Sequence, residues 1–381
     1  MRLIRLLALP TGALLIGALA GCGAPAPAGP VAPASSRTTT TPAMTAAAPT
    51  VAADPVCGTA ATLAVAKAQQ AGVAYGTLAG STLTAKAAAA GTKAVVLPAG
   101  TVTLHDFAAG EERIDAARIP AASAGLVGQG VGRSTVTLAP HSSTRKSVVP
   151  TVEYQVNPLN LLRVSAAHAV VGDLTVLGTA QGHTYNGLRI ERSTDPRIAN
   201  VHVVGIPGDM DRPPGETFGI NDYKTVGAEY DHVEVDGAGV GAAGFAANGS
   251  QDIRVCDAFS HDNPISMGFA FWQVKDITMT DCVAKRNGFT GFNFERVSGK
   301  VTLIRPVAQD NRWDMRVVSD QGSASYTIVD PDMTHTQVPG RWTVELPPTY
   351  YKHPSLQVQS QIHLIVDGKE RPDLLRFVRP R

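Results

Sequence analysis

Apolar positions recur at a near-fixed spacing between Gly187 and Val318. The fragments Gly187-Leu188-Arg189-Ile190, Gly219-Ile220-Asn221-Asp222, Gly244-Phe245-Ala246-Ala247, Gly268-Phe269-Ala270-Phe271 and Gly291-Phe292-Asn293-Phe294 share one pattern. Each has a glycine, a large apolar residue, a variable residue and usually a second apolar one, at steps of 32, 25, 24 and 23 residues. A second ladder, Val203, Val235, Phe259, Val283 and Val307, advances by 32, 24, 24 and 24. A third is polar: Asn263, Asn287 and Asn311, each 24 apart. Within the units, Ile253-Arg254-Val255, Ile277-Thr278-Met279 and Val301-Thr302-Leu303 alternate with a period of two, the mark of strands. A period in the twenties built from strands marks a solenoid, and the leucine-asparagine pattern of leucine-rich repeats is missing. The expectation is an all-β parallel β-helix, one coil of about 24 residues per repeat, with strands stacked about 4.8 Å apart. Both apolar ladders are predicted to form buried columns, Leu188, Ile220, Phe245, Phe269 and Phe292 being the second. The asparagines read as a structural ladder, because Asn tolerates left-handed turns and stacked amides hydrogen-bond from coil to coil.

The chain divides around this repeat. Arg2 and Arg5 precede an apolar run from Leu6 to Ala20, too short for a mature membrane span. It ends in Leu19-Ala20-Gly21-Cys22, which reads as a bacterial lipobox, with Cys22 lipidated and the product anchored to the membrane outside the cytoplasm. Residues 23 to 54 are Ala, Pro, Thr, Ser and Gly with almost no charge, a tether that cannot bury a core. The β-helix with its N-terminal helical cap is expected over residues 55–320, with helices at Thr59–Ala71, stopped by Gly72, and Ser81–Ala90, stopped by Gly91. Beyond Val318 the repeat fades, so residues 321–381 read as a C-terminal β cap with a hairpin turn at Asp367-Gly368.

Between those helices and the repeat lie Val95-Val96-Leu97-Pro98-Ala99-Gly100 and Leu126-Val127-Gly128-Gln129-Gly130. A helix, such a strand and such a glycine turn in this order resemble the N-terminal end of the pectin-lyase-like superfamily. The resemblance covers about residues 55 to 320 and implies a right-handed parallel β-helix with a helical N-terminal cap. Its members include pectate lyases, polygalacturonases, alginate epimerases, phage tail spikes and non-catalytic adhesins. The polygalacturonase patterns Asn-Thr-Asp, Asp-Asp, Gly-His-Gly and Arg-Ile-Lys are absent, so standard pectinase chemistry is not expected.

Composition narrows the partners. The net charge is +1 with no basic run, which speaks against nucleic acid. Four cysteines do not make a disulfide framework, and no spacing matches a zinc site. Outside the cell Cys57, Cys256 and Cys282 are able to oxidise. The repeat puts Cys256 and Cys282 about 8 Å apart, so their pairing would need a bulge.

On the glycine strand the residues expected to face outward are Arg189, Asn221, Ala246, Ala270, Asn293 and Arg316. Glu191, Tyr223, Asn248, Trp272 and Glu295 follow two residues on. Aromatic rings, amides and ions side by side suit a sugar polymer, so Arg189, Glu191, Asn221, Tyr223, Trp272, Asn293 and Arg316 are the candidate binding residues. About seven extra residues at Ile206–Glu216 are expected to overhang the strip. The turn into the strand offers Asp236, His261, Asp262, Lys285, Arg286 and Arg312. Two reactions stay open. β-Elimination from a uronate needs a cation, such as Arg286, Arg312, Arg316 or a calcium held by Asp209, Asp211, Asp222 or Asp262, with His261, Tyr223 or an arginine as base. Hydrolysis needs a carboxylate pair, for which Asp262 and Glu295 are the candidates. The catalytic set is thus His261, Asp262, Glu295 and Arg286. A non-catalytic glycan-binding scaffold is the alternative to an enzyme.

Overall fold

The computed structural model describes residues 57–104, 115–138, 160–178, 186–207, 217–238, 243–264, 266–318, 323–336, 338–346 and 361–378. Cys22, the leader and tether, and most of the predicted overhang, including Asp209 and Asp211, lie outside the described residues. The strands form one sheet of 17 and one of 10. Each coil gives one strand to the ten-stranded sheet and then runs through the long sheet, so neighbouring strands are successive coils. The pairings are parallel from rung to rung, apart from a closing hairpin between Ile362–Val366 and Lys369–Glu370. This is the right-handed parallel β-helix that the sequence leads one to expect.

The glycine strands stack as predicted. Leu188, Ile220, Phe245, Phe269, Phe292 and Met315 are register partners in turn, and all are buried. Phe269 lies on Phe292 at 5.4 Å between ring centroids, and Phe271 on Phe294 at 5.3 Å, each nearly parallel. The asparagine ladder is also in place. The Asn263 amide donates to Asn287 Oδ1 at 2.6 Å, and that of Asn287 to Asn311 Oδ1 at 3.0 Å, all three buried.

The valine ladder is corrected. Val203 and Val235 pair and are buried, but Val235 then pairs with Ser260, not Phe259. The inward column continues through Ala284 and Ala308, while Phe259, Val283 and Val307 stand half-exposed on the outside. The step from Val235 is 25 residues, as on the glycine strand, and a slip of one residue moves every side chain to the other face. The glycines of the facing strand make room for these inward residues. A Cβ on Gly244 would lie 2.1 Å from Ser260 Oγ, and one on Gly268 would lie 2.9 Å from Ala284 Cβ.

The central coils leave the ten-stranded sheet through one residue in the left-handed region: Arg192, Lys224, Gly249, Gln273 and Arg296. Its backbone N–H donates to the next rung: Lys224 to Asn248 and Gln273 to Glu295, both at 2.9 Å. A sharp corner is thereby made without breaking the ladder of hydrogen bonds.

The C-terminal end differs from the expectation. Trp342–Glu345 and Leu375–Val378 extend the ten-stranded sheet in parallel, and Ser323–Val329 extends the long one, so the solenoid runs past residue 320. At the other end, helix α1 (Thr59–Ala71) does not cap the core. It lies on the outer face of the long sheet, with Ala61 and Val65 packed on Ala94, Val127 and Ala199. Gly172 makes room, since a Cβ there would meet Val65 at 2.4 Å. The N-terminal end of α1 is held by Glu229, which accepts from the Ala61 N–H at 3.0 Å, and by Asp231, which accepts from the Thr62 hydroxyl. Its other end is held by Gln69, which donates to Gly128 O and Asp173 Oδ2. The end cap is helix α2 (Leu83–Ala89), whose Leu83 and Ala87 enter the main core.

The disulfide joins Cys57 to Cys256, with Cα atoms 5.6 Å apart, and Cys282 is free and buried. Cys256 and Cys282, whose pairing the repeat allowed only with a bulge, are not joined. In register Cys256 pairs with Thr280, and the partner comes instead from the segment that α1 brings back along the solenoid's flank.

Candidate functional site

The outer face of the ten-stranded sheet carries three rows of side chains. The middle row is Arg118, Arg163, Arg189, Asn221, Ala246, Ala270, Asn293, Arg316 and Glu345, register partners from strand to strand. The row toward the strand ends is Glu191, Tyr223, Asn248, Trp272 and Glu295, as the repeat predicts.

At the centre the face is apolar. Phe218, Met267 and Trp272, all partly exposed, pack on Ala243, Ala246 and Ala270, which are fully buried although they face outward. Phe218 and Trp272 meet edge to face, centroids 5.7 Å apart. Alanine at the middle row leaves the space into which the two rings lean.

On the N-terminal side the Arg189 guanidinium lies over the Tyr223 ring, 4.5 Å from its centroid. Glu191 is buried and serves as a counter-ion: Arg163 Nη2 lies at 2.8 Å and Arg189 Nε at 3.1 Å. Burial holds the Arg189 pKa below its ordinary value, against the opposing pull of Glu191. Asn221 is buried and donates to Asn186, which donates to Asn160, which donates to Asp115. Asn221 therefore belongs to a second amide ladder.

On the C-terminal side Arg316 is the hub. Its Nη1 donates to Glu295 at 3.0 Å and to Asn293 at 3.3 Å, its Nε lies 3.1 Å from Glu345, and its guanidinium covers Phe289 at 5.3 Å. Burial raises the Glu345 carboxyl pKa, while the nearby Arg316 pulls it down. Arg312 lies over Phe289 and Trp313.

The predicted catalytic set does not assemble. His261, Asp262 and Arg286 form a group of their own on the outside of the long sheet. His261 stacks on Phe259 at 3.9 Å, with Nδ1 2.6 Å from Asp262 and Nε2 3.0 Å from Glu234. Asp262 accepts from both Nε and Nη2 of Arg286, and these bonds hold its carboxyl well below the usual range. Glu295 ends the strand Thr290–Glu295 and pairs with Trp272, whereas Asp262 precedes the strand Met267–Trp272. The strand between them spans roughly 16 Å at about 3.3 Å per residue, beyond the carboxylate separations that glycoside hydrolysis uses.

The calcium expectation at Asp222 is also corrected. Asp222 points into the core, fully buried, and accepts from Thr225, Tyr230 and Ser250 hydroxyls at 2.6, 2.6 and 2.5 Å. Burial raises its pKa against those hydrogen bonds. Asp236, His261 and Asp262, and separately Asp231, His232 and Asp257, bring possible metal-ligand atoms within 4.8 Å of one another. In the first group Arg286 already holds both Asp262 oxygens.

Sequence reading missed Arg118, Arg163, Phe218 and Glu345. A signal for the two arginines exists: Ala117-Arg118-Ile119 and Leu162-Arg163-Val164 repeat the apolar-Arg-apolar pattern of Leu188-Arg189-Ile190. Irregular spacing hides it.

Among solved structures, the chain is similar to the A-module of Azotobacter vinelandii mannuronan C-5 epimerase AlgE4, at 14% identity and a TM-score of 0.38 over 77% of this chain and 90% of that one. It is similar to the catalytic domain of a GH87 alpha-1,3-glucanase in complex with nigerose, at 10% identity and 0.39, over 82% and 68%. A third is the periplasmic alginate epimerase AlgG, at 9% and 0.33, over 76% and 77%. At these values the likeness says nothing of activity. No family model matches the chain, and no curated protein does.

Proposed function

We propose that the outer face of the ten-stranded sheet binds a polysaccharide lying along the solenoid axis, and that the protein is a lipid-anchored glycan-binding protein of the cell exterior. The observation that carries the reading is the apolar ridge of Phe218, Met267 and Trp272 over an alanine floor. It is flanked by Tyr223 with Arg189 on one side and by Asn293, Glu295 and Arg316 on the other. Pyranose rings present C–H faces to aromatics and hydroxyls to amides and ions, and this surface offers both in a row. Export is supported by the Leu19-Ala20-Gly21-Cys22 segment and by the Cys57–Cys256 disulfide, which persists in oxidising compartments.

A second reading, hydrolysis, is favoured by one observation. Glu295 and Glu345 both meet Arg316, and burial raises the Glu345 carboxyl pKa. A raised carboxyl pKa is one of the features of a general acid.

The experiment is a screen of the soluble fragment from Asp54 onward against pectate, alginate, glycosaminoglycans and neutral glucans. Binding, reducing ends and unsaturated uronides are measured for the native sequence, Trp272→Ala and Glu345→Gln. Binding lost in Trp272→Ala, with no product from any polymer, is the expected result. Turnover abolished by Glu345→Gln establishes the second reading, and binding untouched by Trp272→Ala removes the first.

A further inference from the structure

We infer that the strip takes an acidic heteropolysaccharide, with acidic groups on an arginine ladder at its N-terminal end and an uncharged sugar on the Phe218–Trp272 ridge. The inference rests on the strip's being a glycan site.

Arg118, Arg163 and Arg189 are register partners on three consecutive strands, so their side chains rise together at about 4.8 Å per rung. Like charges at that spacing repel unless countered. Among the described residues, two carboxylates counter them. Arg163 reaches Asp115 at 3.2 Å and Glu191 at 2.8 Å. Glu191 is shared again with Arg189 at 3.1 Å and Arg192 at 3.8 Å. Arg118 makes no ion pair among the described residues. Four guanidinium groups thus share two acids. Among the described residues, the Nε atoms of Arg118 and Arg163 are also buried without an acceptor, a state that native structures seldom leave unanswered. Planar guanidinium donors match a carboxylate or sulfate ester in two-point geometry, which a neutral hydroxyl does not supply.

Three strand spacings, about 14 Å, separate the Arg189 rung from the Trp272 rung. Only an oligomer reaches both. The middle row there is Asn221, Ala246 and Ala270, and among the described residues no cation stacks on Phe218 or Trp272. A polymer with an acid on every sugar would lay a carboxylate on this apolar ridge, away from water and without a counter-charge. A polymer whose acidic sugars are spaced by uncharged ones satisfies both ends.

Titration calorimetry on the folded fragment tests this with three oligosaccharides of equal length. They are a galacturonate oligomer (an acid on every sugar), a hyaluronan oligomer (uronate alternating with N-acetylhexosamine) and a cello-oligomer (neutral). The alternating oligomer is expected to bind at least tenfold more tightly than either of the others. Arg118→Gln, which strips no carboxylate of its partner, is expected to weaken that binding about tenfold, to flatten its salt dependence, and to leave the melting midpoint in place. Equal or tighter binding of the galacturonate oligomer overturns the heteropolymer assignment. Equal binding of the cello-oligomer, unaffected by Arg118→Gln but lost in Trp272→Ala, overturns the arginine subsite and leaves the glycan strip standing. Binding of no oligomer, or binding indifferent to both variants, overturns strip and subsite together.

Discussion

Phe218 and Trp272 begin at opposite ends of their strands, two rungs apart, and meet edge to face above Ala246 and Ala270, ring centroids 5.7 Å apart at 65°. Neither ring could lean this way if the middle row carried a large side chain. Replacing Ala246 with Leu is expected to push the rings apart and weaken oligosaccharide affinity by about tenfold, at about 1.4 kcal/mol per factor of ten. Calorimetry on the folded variant checks it, and unchanged affinity would show that the ridge is not the binding surface.

His261 stands apart from this face, on the outside of the long sheet between Glu234 and Asp262. His261→Ala is therefore expected to leave glycan affinity unchanged while lowering stability, since it removes the stack on Phe259 and both carboxylate contacts. A loss of affinity with an unchanged melting midpoint would place ligand at His261 instead.

Burial separates the two apolar ladders energetically. Phe269→Ala empties a core position between Phe245 and Phe292, and is expected to cost about 3–5 kcal/mol. Phe259→Ala removes a half-exposed ring and is expected to cost clearly less. Denaturant titration of the two variants, compared at constant slope, decides whether the register is right.

Cys57→Ser opens a loop with a sequence separation of 199. Loop-closure entropy puts the loss at about 5 kcal/mol as an upper value, and α1 should become sensitive to protease because its N-terminal end loses its covalent hold. Cys282 should resist thiol reagents in the folded state, since burial pushes its thiol up to about 12. Rapid labelling of Cys282 under native conditions would contradict its placement.

Asp222 supplies a pH prediction. Its pKa is raised in the folded protein by burial. The neutral form is thus favoured on folding, and its contribution is full below the unfolded value of about 3.9 and is lost as pH rises through the folded value. Asp222→Asn abolishes this titration while keeping an acceptor for the Thr225, Tyr230 and Ser250 hydroxyls. The melting midpoint of the variant relative to the native protein should rise from pH 4 toward neutrality. A flat difference across that range would mean that Asp222 does not titrate with folding.

What the sequence determined by itself was whatever repeats locally. Period-two strands, a glycine at each strand start and asparagines every 24 residues specify a parallel β-helix, its glycine-strand column and its amide ladder, because each unit must bury the same face against the next. From those ladders the outward strip followed down to Trp272, Glu295 and Arg316. Tertiary structure decided the rest. The long-sheet register hung on one residue at Val235–Ser260, which puts Ser260 inside and Phe259 outside. Cys57 found Cys256 because α1 folds back along the solenoid's flank, a docking that no repeat encodes. Asp222 holds the inward position of Ile190 and Phe271, and three hydroxyls satisfy it there. Arg118 and Arg163 joined Arg189 only once long, unequal connections had been closed into successive rungs, since alignment across strands is set by backbone hydrogen bonds and not by distance along the chain.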